Sequence, residues 1–319
     1  MAARSDELRL IARVARMYHL DDIKQSDIAK RLRISQAGVS RLLKRARDEG
    51  VVRISVEAPS GTFPELEERL RSRFGLTEMV IAECAEDREE QILARIGEAA
   101  AQYLGMTFQP GEVIGISSWS ESLRRTVDNL DPGRHSAARV VQILGGMGNP
   151  AVQAHATTLT TRLARLTGAA PMLLATQGVA GSVSARDALV ADPYVASTMA
   201  EFGSLTMALI GIGAVEPSKL LADSGNIFTD AELRELTRLR AAGDICLHFF
   251  DSEGAPIRSP VEGRVIGITL EQLQRVPRVI GVAGGARKVR ALLGALRGRF
   301  IDVLVTDQFT AARLDAAPS

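Results

Sequence analysis

The sequence predicts an α/β protein in two parts: an N-terminal winged helix-turn-helix over residues 1–57 and a Rossmann-like domain with a mostly parallel sheet over residues 65–319, joined by a linker at residues 58–64. Three observations predict this. The first 50 residues hold three short segments of helical apolar spacing, with a small residue where two of them must meet. From Glu65 onward, short β-rich runs alternate with helical patterns, the signature of a sheet covered on both faces. Between the two parts, Ala58-Pro-Ser-Gly-Thr-Phe-Pro64 has the composition of a hinge.

In the first part, Leu8, Ile11, Ala12, Ala15 and Leu20 recur at helical spacing and predict a helix from Glu7 to about Tyr18. Ile28, Ala29 and Leu32 give a second helix its apolar face, and Val39, Leu42 and Leu43 give one to a third, with Ser35 as its N-cap. Two helices pack across a three- or four-residue turn only if a contact residue is small, the role expected of Ala29. The third helix then turns Gln36, Ala37, Ser40, Arg41, Lys44 and Arg45 outward. Its first half offers groups for base edges, and its cations, with Gln25 and Ser35 nearby, reach phosphates, so double-stranded operator DNA is the expected partner. A basic helical hairpin used for protein contact is the alternative. Arg33 stands where such turns often carry glycine, at a cost on the order of 1 kcal/mol. Gly50 stops the third helix, and Val51–Val56 alternates as the strand of a wing.

Composition sets the bounds. With 319 residues the chain exceeds one ordinary domain, and 46% hydrophobic with 24% charged residues describes a globular chain. No apolar run nears the roughly 18 to 20 residues that span a bilayer, and the opening MAARSDELRL lacks the apolar core of a secretory signal. A cytoplasmic protein without membrane contact is therefore expected. Cys84 and Cys246 have no metal-ligand spacing around them, so they are read as buried small hydrophobes, with no metal or cofactor expected. Residues 1–57 carry 13 Lys/Arg against 8 Asp/Glu, whereas the remainder carries 26 against 30. Only the basic head is suited to a polyanion.

In the second part the expected strands are Met79–Ala82, Glu112–Ile116, Arg139–Leu144, Met172–Ala175, Leu205–Ile210, Asp244–Phe250, Arg278–Ala283 and Val303–Thr306. Helices are expected at Glu89–Leu104, Val152–Leu166, Asp230–Ala241 and Ala286–Leu296. Ligands of such sheets sit beyond the carboxyl ends of strands. Four ends stand out: Ser117-Ser-Trp-Ser-Glu-Ser122, Gly145-Gly-Met-Gly-Asn-Pro150, Gly284-Gly-Ala-Arg-Lys-Val289 and Asp307. Glycines let backbone N–H groups approach an anion, and Lys288 could supply charge for a phosphate. No glycine stretch forms a Walker loop or a full GxGxxG, so a nucleotide is disfavoured. A phosphorylated or polyhydroxylated ligand is favoured.

Together the Gln25–Arg47 motif, Gly211-Ile-Gly213, Gly243-Asp-Ile-Cys-Leu-His-Phe-Phe-Asp251, Arg264-Val-Ile-Gly-Ile268, Ile280–Lys288 and Val303-Leu-Val-Thr-Asp307 resemble the SorC family of sugar-catabolism regulators, in order along the whole chain. The resemblance implies an effector domain similar to sugar-phosphate isomerases and deaminases. It further implies homo-oligomers, dimers or tetramers, that bind operators of carbohydrate catabolic operons and respond to a sugar or sugar phosphate. It places the phosphate-side lysine on Lys288 beside Gly284 and Gly285, the hydroxyl-binding acid on Asp244, and the third-strand glycines on Gly145 and Gly146. The family's S-W-G-x-T turn is similar to Ser118-Trp119-Ser120-Glu121-Ser122, which departs from it at Ser120 and Ser122. The Thr176–Ser184 loop differs too much for side chains to be carried over.

Plainer roles stand beside these. Asp244 could cap or pair locally, Lys288 could be a solvated helix residue, and Trp119 could be a core or subunit-contact residue. His155 and His248 lack a nucleophile or carboxylate close in sequence and read as structural. Two other functions compete: a sugar-phosphate isomerase or deaminase fused to a DNA-binding head, and a regulator of the same build answering a non-sugar ligand. An enzyme needs an acid–base pair near the sugar carbons, and Asp244 alone stands at a suitable edge, so no catalytic residue is assigned.

Overall fold

The computed structural model describes residues 2–53, 59, 61–133, 136–149, 153–217, 219–225 and 228–318. Contacts divide the chain into two compact units, Met1–Pro59 and Ser60–Ser319.

The first unit has three helices: α1 (Ala2–His19), α2 (Gln25–Leu32) and α3 (Gln36–Asp48). Val14, Ile28, Ala29, Val39 and Leu43 close its core, with Leu42 half-buried at the edge. The Ser35 hydroxyl caps α3 by accepting from the Gly38 N–H at 3.0 Å. Arg33 takes the left-handed conformation outright (φ 52°, ψ 43°), and its N–H bonds to the carbonyls of Ala29 and Lys30. The turn is therefore the usual one, strain included. Val51 and Val52 form a bend rather than a strand, because Val52 folds back onto Ile11, Ala15 and Ala46 and its N–H bonds to the Ala46 carbonyl at 2.8 Å. The rest of the expected wing, residues 54–57, lies outside the described residues.

The second unit runs α4 (Pro64–Phe74), β1 (Glu78–Ala82), α5 (Glu89–Thr107), β2 (Val113–Ile116), α6 (Glu121–Asp128), β3 (Arg139–Gln142), α7 (Gln153–Thr167), β4 (Ala170–Met172), α8 (Val183–Val190), α9 (Pro193–Ala200) and β5 (Met207–Ile210). It continues with β6 (Gly213–Ala214), α10 (Lys219–Asp223), α11 (Asp230–Arg238), β7 (Gly243–Ile245), β8 (His248–Phe250), α12 (Leu270–Leu273), β9 (Val279–Val282), α13 (Val289–Arg297), β10 (Val303–Asp307) and α14 (Gln308–Ala316). Seven strands form one parallel sheet in the order β1-β10-β9-β5-β2-β3-β4. Alternate residues of each strand face opposite ways, and both faces are covered. On one, Ile114, Val140, Leu209 and Val282 meet Ile96, Leu123 and Leu163 of α5, α6 and α7. On the other, Met79, Val141, Ala208 and Leu304 meet Leu70, Leu292 and Leu314 of α4, α13 and α14.

One expected strand is two. Asp244–Phe250 divides into β7 and β8, an antiparallel hairpin that continues to β6 as a separate three-stranded sheet. Cys246 and Leu247 make its turn with φ of 52° and 67°. Two positive φ values match the twist of a two-residue hairpin, but the positions normally carry Asn-Gly. The expected Ala286–Leu296 helix likewise begins as a 3-10 turn, Ala286–Lys288.

Candidate functional site

A polar cleft opens beyond the carboxyl ends of β2 and β5, adjacent strands in the middle of the sheet. From β2 the chain leaves toward β3 on one side, and from β5 it passes through the hairpin to β9 on the other, so the cleft lies at a topological switch point. Four segments wall it: the turn after β2 (Ser117, Trp119, Ser120, Glu121, Ser122), the segment after β5 (Gly211 to Glu216), the hairpin (Asp244, Cys246, Leu247) and the turn after β9 (Arg287, Lys288). Glu89 and Leu93 of α5, Leu144 after β3, Pro217 and Leu221 also line it.

Asp244 is the deepest carboxylate. Its Oδ2 accepts the Leu247 N–H at 3.0 Å and so latches the left-handed turn. Burial raises its pKa to about 6, against the pull of that hydrogen bond, Lys288 and His248. Lys288 donates to the Ile212 carbonyl, and burial pushes its ammonium below the usual lysine value despite the attraction of Asp244. The glycines of Gly211-Ile-Gly213 exist for close approach: a Cβ on Gly213 would stand 1.9 Å from Asp244 Oδ1, and one on Gly211 2.5 Å from Ser120 Oγ.

The structure therefore brings Trp119, Ser120, Asp244 and Lys288 around one cavity and sets the other expected residues behind it. Ser118 is buried, its hydroxyl donating to the Leu144 carbonyl at 2.7 Å and accepting from Gln142 Nε2 at 3.0 Å. Gly145 holds the indole, its carbonyl accepting Trp119 Nε1 at 3.3 Å, and Gly146 is buried beside it. The Gly284-Gly285 turn does cradle an anion, but the anion is the chain's own Asp307. The Gly285 N–H bonds to Asp307 Oδ2 at 3.1 Å and Thr310 Oγ1 at 2.7 Å, while Asp307 Oδ1 caps α14 through the N–H groups of Phe309 and Thr310.

Glu121, Glu216, Cys246 and Leu247 were not expected from sequence to line the site, although the Gly-x-Gly after β5 was a usable signal for a close approach. Glu121 forms ion pairs with Arg124 and Arg125, which hold its carboxyl below the usual range. His248 has a carboxylate partner after all, Glu262, with Nδ1 to Oε1 at 2.6 Å. That partner is 14 residues away and was invisible locally. The side chain of His155 lies outside the described residues. Cys84 and Cys246 are free and buried. Among the described residues no group of His, Cys, Asp and Glu could hold a metal, and no helix is long and apolar enough to cross a membrane.

On the first unit, Ser35, Gln36, Ala37, Ser40, Arg41 and Lys44 are exposed and Gln25 is half-buried. Arg45 differs from them because it is engaged by Glu7 and by Glu49.

A helix-turn-helix unit and an α/β unit with a hydroxyl- and charge-lined cleft at its strand ends define the class of ligand-responsive DNA-binding regulators. Residues 60–314 match the Sugar-bind family model, "Putative sugar-binding domain". The chain is similar to the sorbitol operon regulator of Klebsiella pneumoniae, 33% identical over 316 residues that cover 97% of this chain and 98% of that one. It is similar to the deoxyribonucleoside regulator of Bacillus subtilis, 30% identical over 309 residues, 97% and 98% of the two chains. The crystal structure of the full-length Klebsiella regulator, SorC, matches with a TM-score of 0.73 at 31% identity, covering 96% of this chain and 98% of that one. The chain belongs to the SorC family of sugar-binding transcriptional regulators and is a carbohydrate-responsive regulator of transcription.

Proposed function

We propose that this protein binds operator DNA of a carbohydrate catabolic operon as a cytoplasmic homo-oligomer, a dimer or tetramer, and that a sugar or sugar phosphate in the cleft changes its operator affinity. Residues 1–57 read the DNA, 58–64 link, and 65–319 bind effector and self-associate. Gln36, Ala37, Ser40 and Arg41 meet base edges, while Gln25, Ser35 and Lys44 meet phosphates, joined by Arg45 when it releases Glu7 and Glu49. Trp119, Ser120, Asp244 and Lys288 contact the effector, held in place by Ser118, Gly145, Gly146, Gly284 and Gly285. The observation that carries the reading is the presence on one chain of an exposed basic face on α3 and a cleft walled by Asp244 and Lys288. It is read as a binder rather than an enzyme because its relatives are named as regulators; of the carboxylates beside Asp244, Glu89 pairs with Arg287 and Glu121 with Arg124 and Arg125.

Operator titration tests the DNA half. Arg41→Ala should lose about 1 to 3 kcal/mol and relax sequence choice. Lys44→Ala should weaken all sequences alike and lower the salt slope by about one. Equal affinity of wild type and both variants overturns the assignment.

A further inference from the structure

We infer that α8 and α9 form the face on which a second copy of this chain docks about a two-fold axis, and that Arg186 and Asp187 pair across that axis. The inference rests on the homo-oligomer reading above and names the surface which that reading leaves open.

The first turn of a helix fixes several dihedrals for one hydrogen bond, so a helix of 8 residues holds in water only by burying one side. Yet α8, Val183-Ser-Ala-Arg-Asp-Ala-Leu-Val190, has no buried residue. Leu189 and Val190 lean on the core at half burial, and the helix also meets α9 and the 3-10 turn Glu262–Arg264. Its placement is nonetheless fixed. The Ser182 hydroxyl caps α8 by accepting from the Ala185 N–H at 3.1 Å, and Asp192 caps α9 through the N–H groups of Tyr194 and Val195. Val195 and Thr198 anchor α9 in the body, the Thr198 hydroxyl donating to the Leu173 carbonyl at 3.3 Å.

What this rigid pair presents outward is apolar. Val183 is 51% exposed, and Tyr194, at 83%, is the most exposed large hydrophobic side chain among the described residues. Ala185, Ala188, Pro193 and Ala196 are exposed as well. Of the 18 residues from Val183 to Ala200 only 3 are charged, and each is answered within the chain. Arg186 pairs with Asp187 at 2.8 Å, and Asp192 is taken up by its cap. Scarce charge around an exposed aromatic is the composition of an interface core, and it offers nothing to a polyanion.

The order of residues in α8 says what covers it. Val183, Arg186, Asp187 and Val190 fall at i, i+3, i+4 and i+7, along one side of the helix. The side chains of Arg186 and Asp187 are 36% and 59% exposed, so both can reach a neighbour. With a two-fold axis between them, an antiparallel copy sets Val183 against Val190, Ala185 against Ala188 and Arg186 against Asp187 of the second copy. A two-fold contact uses the same patch twice, so the patch must complement itself, and this one does. An unrelated partner requires no such symmetry. The extent fits too, since a stable interface takes about 20 to 30 residues a side and α8 with α9 spans 18. Two-fold symmetry is also what two recognition helices need to read successive half-sites.

The test is sedimentation of the full-length protein over a range of concentrations, with circular dichroism to show that each variant is folded. Tyr194→Ala should weaken self-association by about tenfold or more. Arg186→Asp and Asp187→Arg should each weaken it by about as much, because each sets like charges opposite one another. Mixed in equal amounts, these two variants should associate with each other as the wild type does with itself. The double variant Arg186→Asp/Asp187→Arg should regain the wild-type assembly alone. Recovery in the mixture separates a contact between copies from the ion pair within one chain. Wild-type assembly in Tyr194→Ala and in both charge reversals overturns the inference and leaves the homo-oligomer reading intact, as does a loss that the mixture fails to restore. A wild-type protein that stays monomeric at micromolar concentration overturns the two together.

Discussion

Both units of this protein turn the chain through left-handed residues that are not glycine, and the two turns are held in different ways. In the helix-turn-helix, Arg33 closes α2 with its N–H on nearby helix carbonyls and its side chain exposed. In the α/β unit, Cys246 and Leu247 reverse the hairpin with both side chains buried, and the turn is latched by the carboxylate of Asp244. The backbone cost per residue is similar, on the order of 1 to 2 kcal/mol. What differs is the compensation. An exposed side chain adds nothing, so Arg33 is a local cost carried by its helix. A buried leucine adds packing worth more than the strain, so the hairpin stays strained and forms a wall of the cleft. Strain alone does not mark a functional turn; the hairpin differs from the Arg33 turn in that its strained residues line the cleft.

The same substitution should therefore act with opposite signs in the two turns. Leu247→Gly relieves the left-handed strain but empties a packed position, and should destabilise the α/β unit by about 2 to 4 kcal/mol net. Urea unfolding monitored at Trp119 measures this, and a stabilised variant would break the comparison.

The latch itself should show in the pH dependence. The pKa of Asp244 is raised by burial to about 6, from an ordinary 3.8, so the folded state binds this proton more tightly than the unfolded state. Its stabilisation is fully present below about pH 4 and is lost as pH rises through about 6. Asp244→Asn keeps an acceptor for the Leu247 N–H without the charge. Relative to the variant, wild type should lose on the order of 2 to 3 kcal/mol between pH 4 and pH 7, groups common to both cancelling in the difference. A constant difference across that range would mean that the carboxylate is not held in its neutral form.

The smallest effect belongs to the head. Arg33→Gly removes the left-handed penalty and pays only the entropy of glycine, so the head should gain at most about 1 kcal/mol. Its helical melt, followed by circular dichroism, should move upward by a few degrees. A downward shift would show that the Arg33 side chain supports the turn, and the contrast with Leu247 would narrow to one of degree.

The second and third helices of the head were legible, because what makes them acts over a few positions: Ser35 caps the amide three residues on, and Ala29, Val39 and Leu43 meet across one turn; the expected wing strand was not, since Val51 and Val52 form a bend. The alternation of strands and helices and the four strand ends were legible for the same reason. The hairpin was not. From Gly243 to Phe250 every residue is buried, so no change of period marks the reversal at Cys246 and Leu247. Nor was the occupant of the Gly284-Gly285 turn legible, since Asp307 arrives from the neighbouring strand 22 residues later. Local spacing determined most of the elements and the exposed face of α3, because hydrogen bonds and periodicity within an element are short-range. Strand order alone decided which loops share a cleft, joining Ser120, Gly213, Asp244 and Lys288 across more than a hundred residues of chain. Packing between those strands decided what fills the Gly284-Gly285 cradle, because a buried polar group must be met by whatever group the fold places against it.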